Sequence, residues 1–152
     1  VSTLTTINRE IYAQSRMGLF VTVMLIQLER EMNRIRLASA GHNHQILVRV
    51  QSNRIESLSA KGPPLGIFKG SEYLEGMFPY DPGDLLILYT DGITEAHNAA
   101  FQDFGEERLF ELVLREKDRA PTQIIDTIFA AVADFRSGEE AADDATIMVL
   151  RL

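Results

Sequence analysis

Leu85-Leu86-Ile87-Leu88-Tyr89-Thr90-Asp91-Gly92-Ile93-Thr94-Glu95-Ala96 decides the reading of this chain. Four apolar residues and a tyrosine in succession read as a strand covered on both faces. The run then breaks at an acidic, glycine-containing turn. Such a stretch carries one carboxylate to the mouth of a fold while the strand behind it stays buried. A second acidic pair, Asp143-Asp144, stands just before the last apolar strand, Ile147-Met148-Val149-Leu150. Hard divalent cations need oxygen ligands converging from separate elements, and two strand-end carboxylates distant in sequence are of that kind. The pair points to metal-assisted phosphate chemistry.

Composition sets the bounds. The chain has 152 residues, 45% of them hydrophobic, and a formal charge of −7. This suits one domain with its own core and excludes a disordered segment. The acidic balance argues against nucleic-acid binding, which needs clustered positive charge. There are no cysteines, so disulfides, thiolate metal sites and cysteine nucleophiles are excluded together, in keeping with a cytoplasmic location. No apolar run approaches the roughly 20 residues of a membrane span. The chain opens on Val1, which leads us to expect a segment of a longer protein.

Leu4, Ile7, Ile11 and Tyr12 fall at helical spacing. A strand is expected over Met17–Leu28, a second to Ala40, a third through Ile46, Val48 and Val50, and a short one over Arg54–Leu58. Tight polar turns between them suggest an antiparallel meander. A further strand is expected over Tyr73–Tyr80, and Asp81-Pro82-Gly83-Asp84 is a turn by composition. Gly105–Glu116 and Pro121–Phe135 carry apolar residues at helical spacing, followed by a polar loop, Ser137–Ala142, and the last strand. Strands first, helices later and one returning strand suggest α+β, with helices packed on a sheet.

Taken alone, an Asp-Gly after a strand is more often a turn than a ligand. The buried strand behind Asp91 favours the ligand. Adjacent carboxylates at Asp143 and Asp144 repel, and a cation relieves that. Thr146 is either an orienting hydrogen-bond partner or a plain strand residue. His42, His44 and His97 make a poor zinc set, because further nitrogen or sulfur ligands are missing. His97 reads as exposed, and Glu95 is either a general base or an acid supporting the ligands or, more simply, a surface glutamate. No serine stands in a Gly-x-Ser-x-Gly elbow, and no phosphate-cradling Gly-Lys-Ser/Thr loop occurs.

Further short motifs run in order along the chain: Phe20-Val21-Thr22, Ala38-Ser39-Ala40-Gly41-His42, Gly62-Pro63-Pro64-Leu65-Gly66, Pro82-Gly83-Asp84 through Thr90-Asp91-Gly92 to Glu95-Ala96, Phe104-Gly105 with Arg108-Leu109, and Asp143-Asp144-Ala145-Thr146. The ordered set resembles the SpoIIE-like branch of the PPM-type, metal-dependent protein serine/threonine phosphatases. The resemblance implies the later part of an α/β/β/α sandwich, mostly antiparallel strands with flanking helices. It implies a two-metal site of Mn2+ or Mg2+ in the complete domain, where an activated water attacks phosphorus without a phospho-enzyme. Carried onto this chain, Asp91 and Asp143 are the metal ligands and catalytic residues, with Asp144 their neighbour. Two earlier family motifs, Gly-Gly-Asp-Phe/Tyr-Tyr/Phe-Asp and Asp-x-Ser-Gly-His-Gly, are absent. Residues 1–152 are therefore expected to be a single phosphatase domain truncated at its N-terminus, holding at most half its metal ligands.

The resemblance further implies a phosphorylated regulatory protein as substrate, such as a STAS-type anti-sigma-factor antagonist. A homo-oligomer is expected where an incomplete sheet leaves an exposed edge. The competing reading is a non-catalytic phosphoprotein-binding module of the same fold. A haloacid-dehalogenase-type phosphatase is excluded, because its aspartate nucleophile would fall at Tyr89.

Overall fold

The computed structural model describes residues 2–14, 18–139 and 143–152. The chain forms two compact units. One is Val1–His44 with Leu58–Tyr80, the other Gln45–Ser57 with Asp81–Leu152.

The first unit holds helix α1 (Ser2–Gln14) and strands β1 (Val23–Glu29), β2 (Arg34–Ala40) and β5 (Glu75–Pro79). Its sheet runs β1-β2-β5, with both pairings antiparallel. Leu4 of α1 is buried with Ala38, Ala40, Leu65 and Tyr73. Asn8, one turn further on, is fully buried and polar. Its amide donates to the Phe68 carbonyl at 2.9 Å and accepts from the Gly66 N–H at 2.9 Å. The helix thus clamps the loop after Pro64 through both halves of one side chain. At the sheet surface Arg36 bonds Glu75 at 2.5 Å. That bond holds the Glu75 carboxyl below its usual range.

The second unit carries β3 (Gln45–Arg49), most of β4 (Arg54–Leu58), β6 (Leu85–Tyr89), a one-turn helix α2 (Asp91–Thr94), α3 (Gly105–Glu116), α4 (Pro121–Arg136) and β7 (Ile147–Arg151). Its sheet order is β4-β3-β6-β7, and β6 pairs antiparallel with both neighbours. Ile46, Val48, Leu85, Ile87 and Tyr89 meet the apolar sides of α3 and α4 in one core. In α3 the buried positions are Leu109, Leu112, Val113 and Glu116, the i, i+3, i+4, i+7 stripe of an amphipathic helix. Glu116 occupies that stripe because Arg115 and Arg119 hold its two oxygens at 2.8 and 2.7 Å. In α4 the stripe is Ile124, Ile128 and Val132. Pro121 opens the helix and the Gln123 side chain caps the Ala120 N–H.

Both ends of β6 are held by buried polar side chains that composition did not single out. At its start Asp84 is 2% exposed. Asp84 accepts from Arg49 Nη1 at 3.1 Å, the Val50 N–H at 3.1 Å and the Asp81 N–H at 3.0 Å. Burial works against the Arg49 charge, but hydrogen bonds to Glu56 and Asp84 outweigh it and raise its pKa. The Asp84 main chain also pairs with Leu152 beyond β7. At the far end, buried Gln45 donates to the Tyr89 carbonyl at 3.2 Å and accepts from its N–H at 2.6 Å.

Three expectations need correction. The strands do not form one meander: β2 pairs with β5 and β3 with β6, across long sequence separations. The strand expected from Met17 begins only at Val23, because Val21 pairs instead with Leu65 through bonds of 3.1 and 2.8 Å. Met17, and residues 140–142 of the expected polar loop, lie outside the described residues. The strand expected over Tyr73–Tyr80 is shorter, Glu75–Pro79, while α3 and α4 stand as expected to within a residue. No helix among the described residues is long and apolar enough to cross a membrane.

Replacing Asp84 by alanine strands the Val50 and Asp81 N–H groups and leaves the Arg49 guanidinium with Glu56. The expected loss is about 2–4 kcal/mol of unfolding free energy by urea titration, since each buried donor left unsatisfied costs about 1–3 kcal/mol. Asp81→Ala, exposed in the same turn, should cost less than about 0.5 kcal/mol.

Candidate metal centre

The register of β6 against β7 decides what meets at this end of the sheet. Tyr89 faces Ile147. The ladder continues one step further, where the Thr90 N–H donates to the Thr146 carbonyl at 3.0 Å. The Thr90 hydroxyl accepts from the Thr146 N–H at 2.9 Å and donates to the Asp144 carbonyl at 3.2 Å. One side chain therefore staples the two acidic loops together. The orienting hydroxyl belongs to Thr90, and Thr146 contributes its main chain.

Asp91 is not in a turn, as its Asp-Gly composition suggested; it is the first residue of α2. Gly92 is required by close approach. A Cβ there would stand 2.5 Å from the Asp144 carbonyl oxygen and 3.2 Å from the Ala145 Cα. The main chains of the two loops touch at this point, and only a residue without a side chain admits it.

Asp91 and Asp143 both stay exposed. Each is oriented by the next N–H in the chain: Gly92 donates to Asp91 Oδ1 at 3.1 Å, and Asp144 to Asp143 Oδ1 at 2.7 Å. The second oxygen of each has no protein hydrogen-bond partner among the described residues. Two oriented carboxylates with free oxygens are the donor type of a hard cation such as Mg2+ or Mn2+. They are few: no group of three or more His, Asp or Glu able to hold a metal occurs among the described residues. The donor set fits such a cation in kind.

Behind these loops Tyr89 is almost fully buried and its hydroxyl reaches Glu106 at 3.4 Å. Burial first, and then the Glu106 charge, push the phenol pKa up, so it stays protonated. His42 and His44 lie in the other unit, where the His42 carbonyl accepts from Ser39 Oγ at 3.3 Å. His97 is not the surface residue its sequence context suggested. It is half-buried, stacks on Phe101 at 5.8 Å between centroids, and with Glu95 lines a cavity that Gly92 and Asp143 also line.

The model of the family described as stage II sporulation protein E (SpoIIE) matches residues 1–152. The chain belongs to the SpoIIE family. Among curated relatives it is 28% identical over 134 residues to protein IcfG of Synechocystis, covering 88% of this chain and 21% of IcfG. It is 25% identical over 150 residues to the phosphoserine phosphatase RsbU of Bacillus subtilis, covering 97% of this chain and 44% of RsbU. The chain thus spans less than half the length of these relatives. Of solved structures, the phosphatase domain of SpoIIE from Bacillus subtilis (Mn presoaked) superposes with a TM-score of 0.73 at 20% identity, over 99% of this chain and 65% of that one. The SiaA PP2C domain of Pseudomonas aeruginosa gives 0.75 at 18% identity, over 85% of this chain and 50% of that one. The fold is that of PP2C-type phosphatase domains: antiparallel sheets with flanking helices.

Gly92→Ala should force the acidic loops apart, because the atom met is main chain and cannot rotate away. A loss of about 1–3 kcal/mol is expected, read as a lowered Tm with the circular dichroism of the native state unchanged.

Proposed function

We propose that residues 1–152 act within a single phosphatase domain, as part of a metal-dependent protein serine/threonine phosphatase. The carrying observation is the main-chain contact between the two acidic loops, Thr90 and Gly92 against Asp144 and Thr146, beside Asp91 and Asp143, in a chain of the SpoIIE family. Asp91 and Asp143 would hold Mn2+ or Mg2+, the remaining positions being filled by water and by donors outside these residues. When bound, such ions activate water and neutralise phosphoryl charge. The chain's own residues orient the carboxylates: Thr90 ties the loops, Gly92 permits their contact, and the main-chain N–H groups of Gly92 and Asp144 fix one oxygen of each aspartate. The naming of RsbU as a phosphoserine phosphatase supports a phosphoserine or phosphothreonine substrate on a signalling regulator, such as a STAS-type anti-sigma-factor antagonist.

A second reading, a phosphoprotein-binding module without turnover, is favoured by the lack of a three-residue ligand cluster among the described residues. Manganese-dependent hydrolysis of p-nitrophenyl phosphate separates the two. On the phosphatase reading, Asp91→Asn and Asp143→Asn each lower kcat at least about a hundredfold while the melting temperature holds. Calorimetric titration with manganese should show weaker binding in both variants. Asp144→Asn should do less than Asp143→Asn, and equal losses would reassign the ligand. Absence of any manganese-stimulated turnover in the complete parent protein would favour the binding module.

A further inference from the structure

The cavity beside the candidate metal centre measures about 590 Å³, a volume suited to a ligand or a few side chains. One wall is Gly92 and Asp143, so whatever fills it lies against the site just described. The floor is apolar: Phe129, Val132 and Ala133 of α4, with Ala145. Phe129 is 39% exposed although large and apolar. Arg136, at the end of α4, also lines the cavity. One terminal nitrogen of its guanidinium donates to the Glu139 carbonyl. Its Nε is buried and has no hydrogen-bond partner among the described residues.

The rim adds a second, independent feature. Phe101 is 85% exposed and held at φ +56°, a left-handed conformation uncommon for an aromatic residue. Asn98 fixes that conformation. Its side chain accepts from the Ala100 and Gln102 N–H groups at 3.0 and 3.1 Å and donates to the Gln102 amide at 3.1 Å. The loop is thereby braced to present an aromatic ring to solvent, stacked on a histidine that lines the cavity. Strain retained at such a place is a mark of binding surfaces.

We propose that this cavity is a docking subsite for the peptide segment next to the phosphorylated residue. An apolar side chain of the substrate seats on Phe129 and Val132 beside Arg136, and Phe101 stands at the rim, stacked on His97. The charges select this occupant. Glu95, Asp103 and Asp143 line the same cavity as Arg136 and His97, so an acidic side chain of the substrate would meet more negative than positive charge, whereas an uncharged apolar one does not. This inference rests on the phosphatase reading and names the substrate feature that the site selects.

The test is kcat/KM with manganese on a set of phosphoserine peptides bearing leucine or glycine at each of the three positions on either side. It is measured for the parent protein and for its Phe129→Ala, Phe101→Ala and Arg136→Ala variants, all checked for native melting. One position is expected to favour leucine about tenfold in the unaltered protein, the scale on which apolar pockets discriminate. That preference should fall to about twofold or less in Phe129→Ala and Arg136→Ala. Phe129→Ala and Phe101→Ala, both at exposed positions, carry the test if Arg136→Ala fails to fold. A protein indifferent to leucine at every position, or a preference that survives in Phe129→Ala, overturns the subsite. If p-nitrophenyl phosphate itself is not hydrolysed, the phosphatase reading fails separately. Calorimetric titration of the same peptides then decides the subsite: leucine-dependent binding lost in Phe129→Ala supports it, and no binding overturns it.

Discussion

The buried Asp84 carboxylate is the constraint on which the candidate site depends. It sits where β6 begins, and its two oxygens take hydrogen bonds from the Arg49 side chain, the Val50 N–H and the Asp81 N–H. A strand of continuous apolar residues specifies its own register weakly, because Leu85, Leu86 and Ile87 would be content on either face. A charged group that can be satisfied in only one position removes the ambiguity. Gln45 does the same at the other end by pairing with both main-chain groups of Tyr89. With both ends pinned, Asp91 emerges two residues beyond the strand in one defined place.

The second acidic loop reaches that place by a different route. β7 pairs with β6 over five residues, so the segment before Ile147 arrives beside the segment after Tyr89. Contact between them is then enforced at main-chain level by Thr90 and permitted by Gly92. Neither aspartate is buried, and neither needs a folding role. This separation of duties suits a site whose carboxylates must stay free for a cation. Stability is carried by Asp84, Gln45 and the core around Ile87, and the exposed aspartates are left available.

Much of this was legible in the sequence. The apolar stripes of α3 and α4 predicted both helices almost to the residue, because a helix packed on a sheet must repeat its buried positions every three to four residues. The ordered motifs pointed to the SpoIIE family, and the match over residues 1–152 establishes it. Less legible was anything that depends on a distant partner. Asp84 reads as one more turn residue, Gln45 as an ordinary polar strand residue and Asn8 as a polar residue on an apolar helix. Each is buried because of a main-chain group between 34 and 60 residues away. The early start expected for β1 failed for the same reason: β-propensity at Val21 was overridden by pairing with Leu65.

The sequence by itself determined the elements, the acidic strand ends and the family, since periodicity, turn chemistry and ordered motifs are local properties of the chain. Tertiary structure alone decided which residues meet. It made Gly92 a contact point for Asp144, moved His97 from the surface to a cavity wall, and brought Arg136 and Asp143 to the lining of that same cavity. The physical reason is that a side chain's neighbours across paired strands and packed helices are set by register and close packing, and these depend on the whole chain at once.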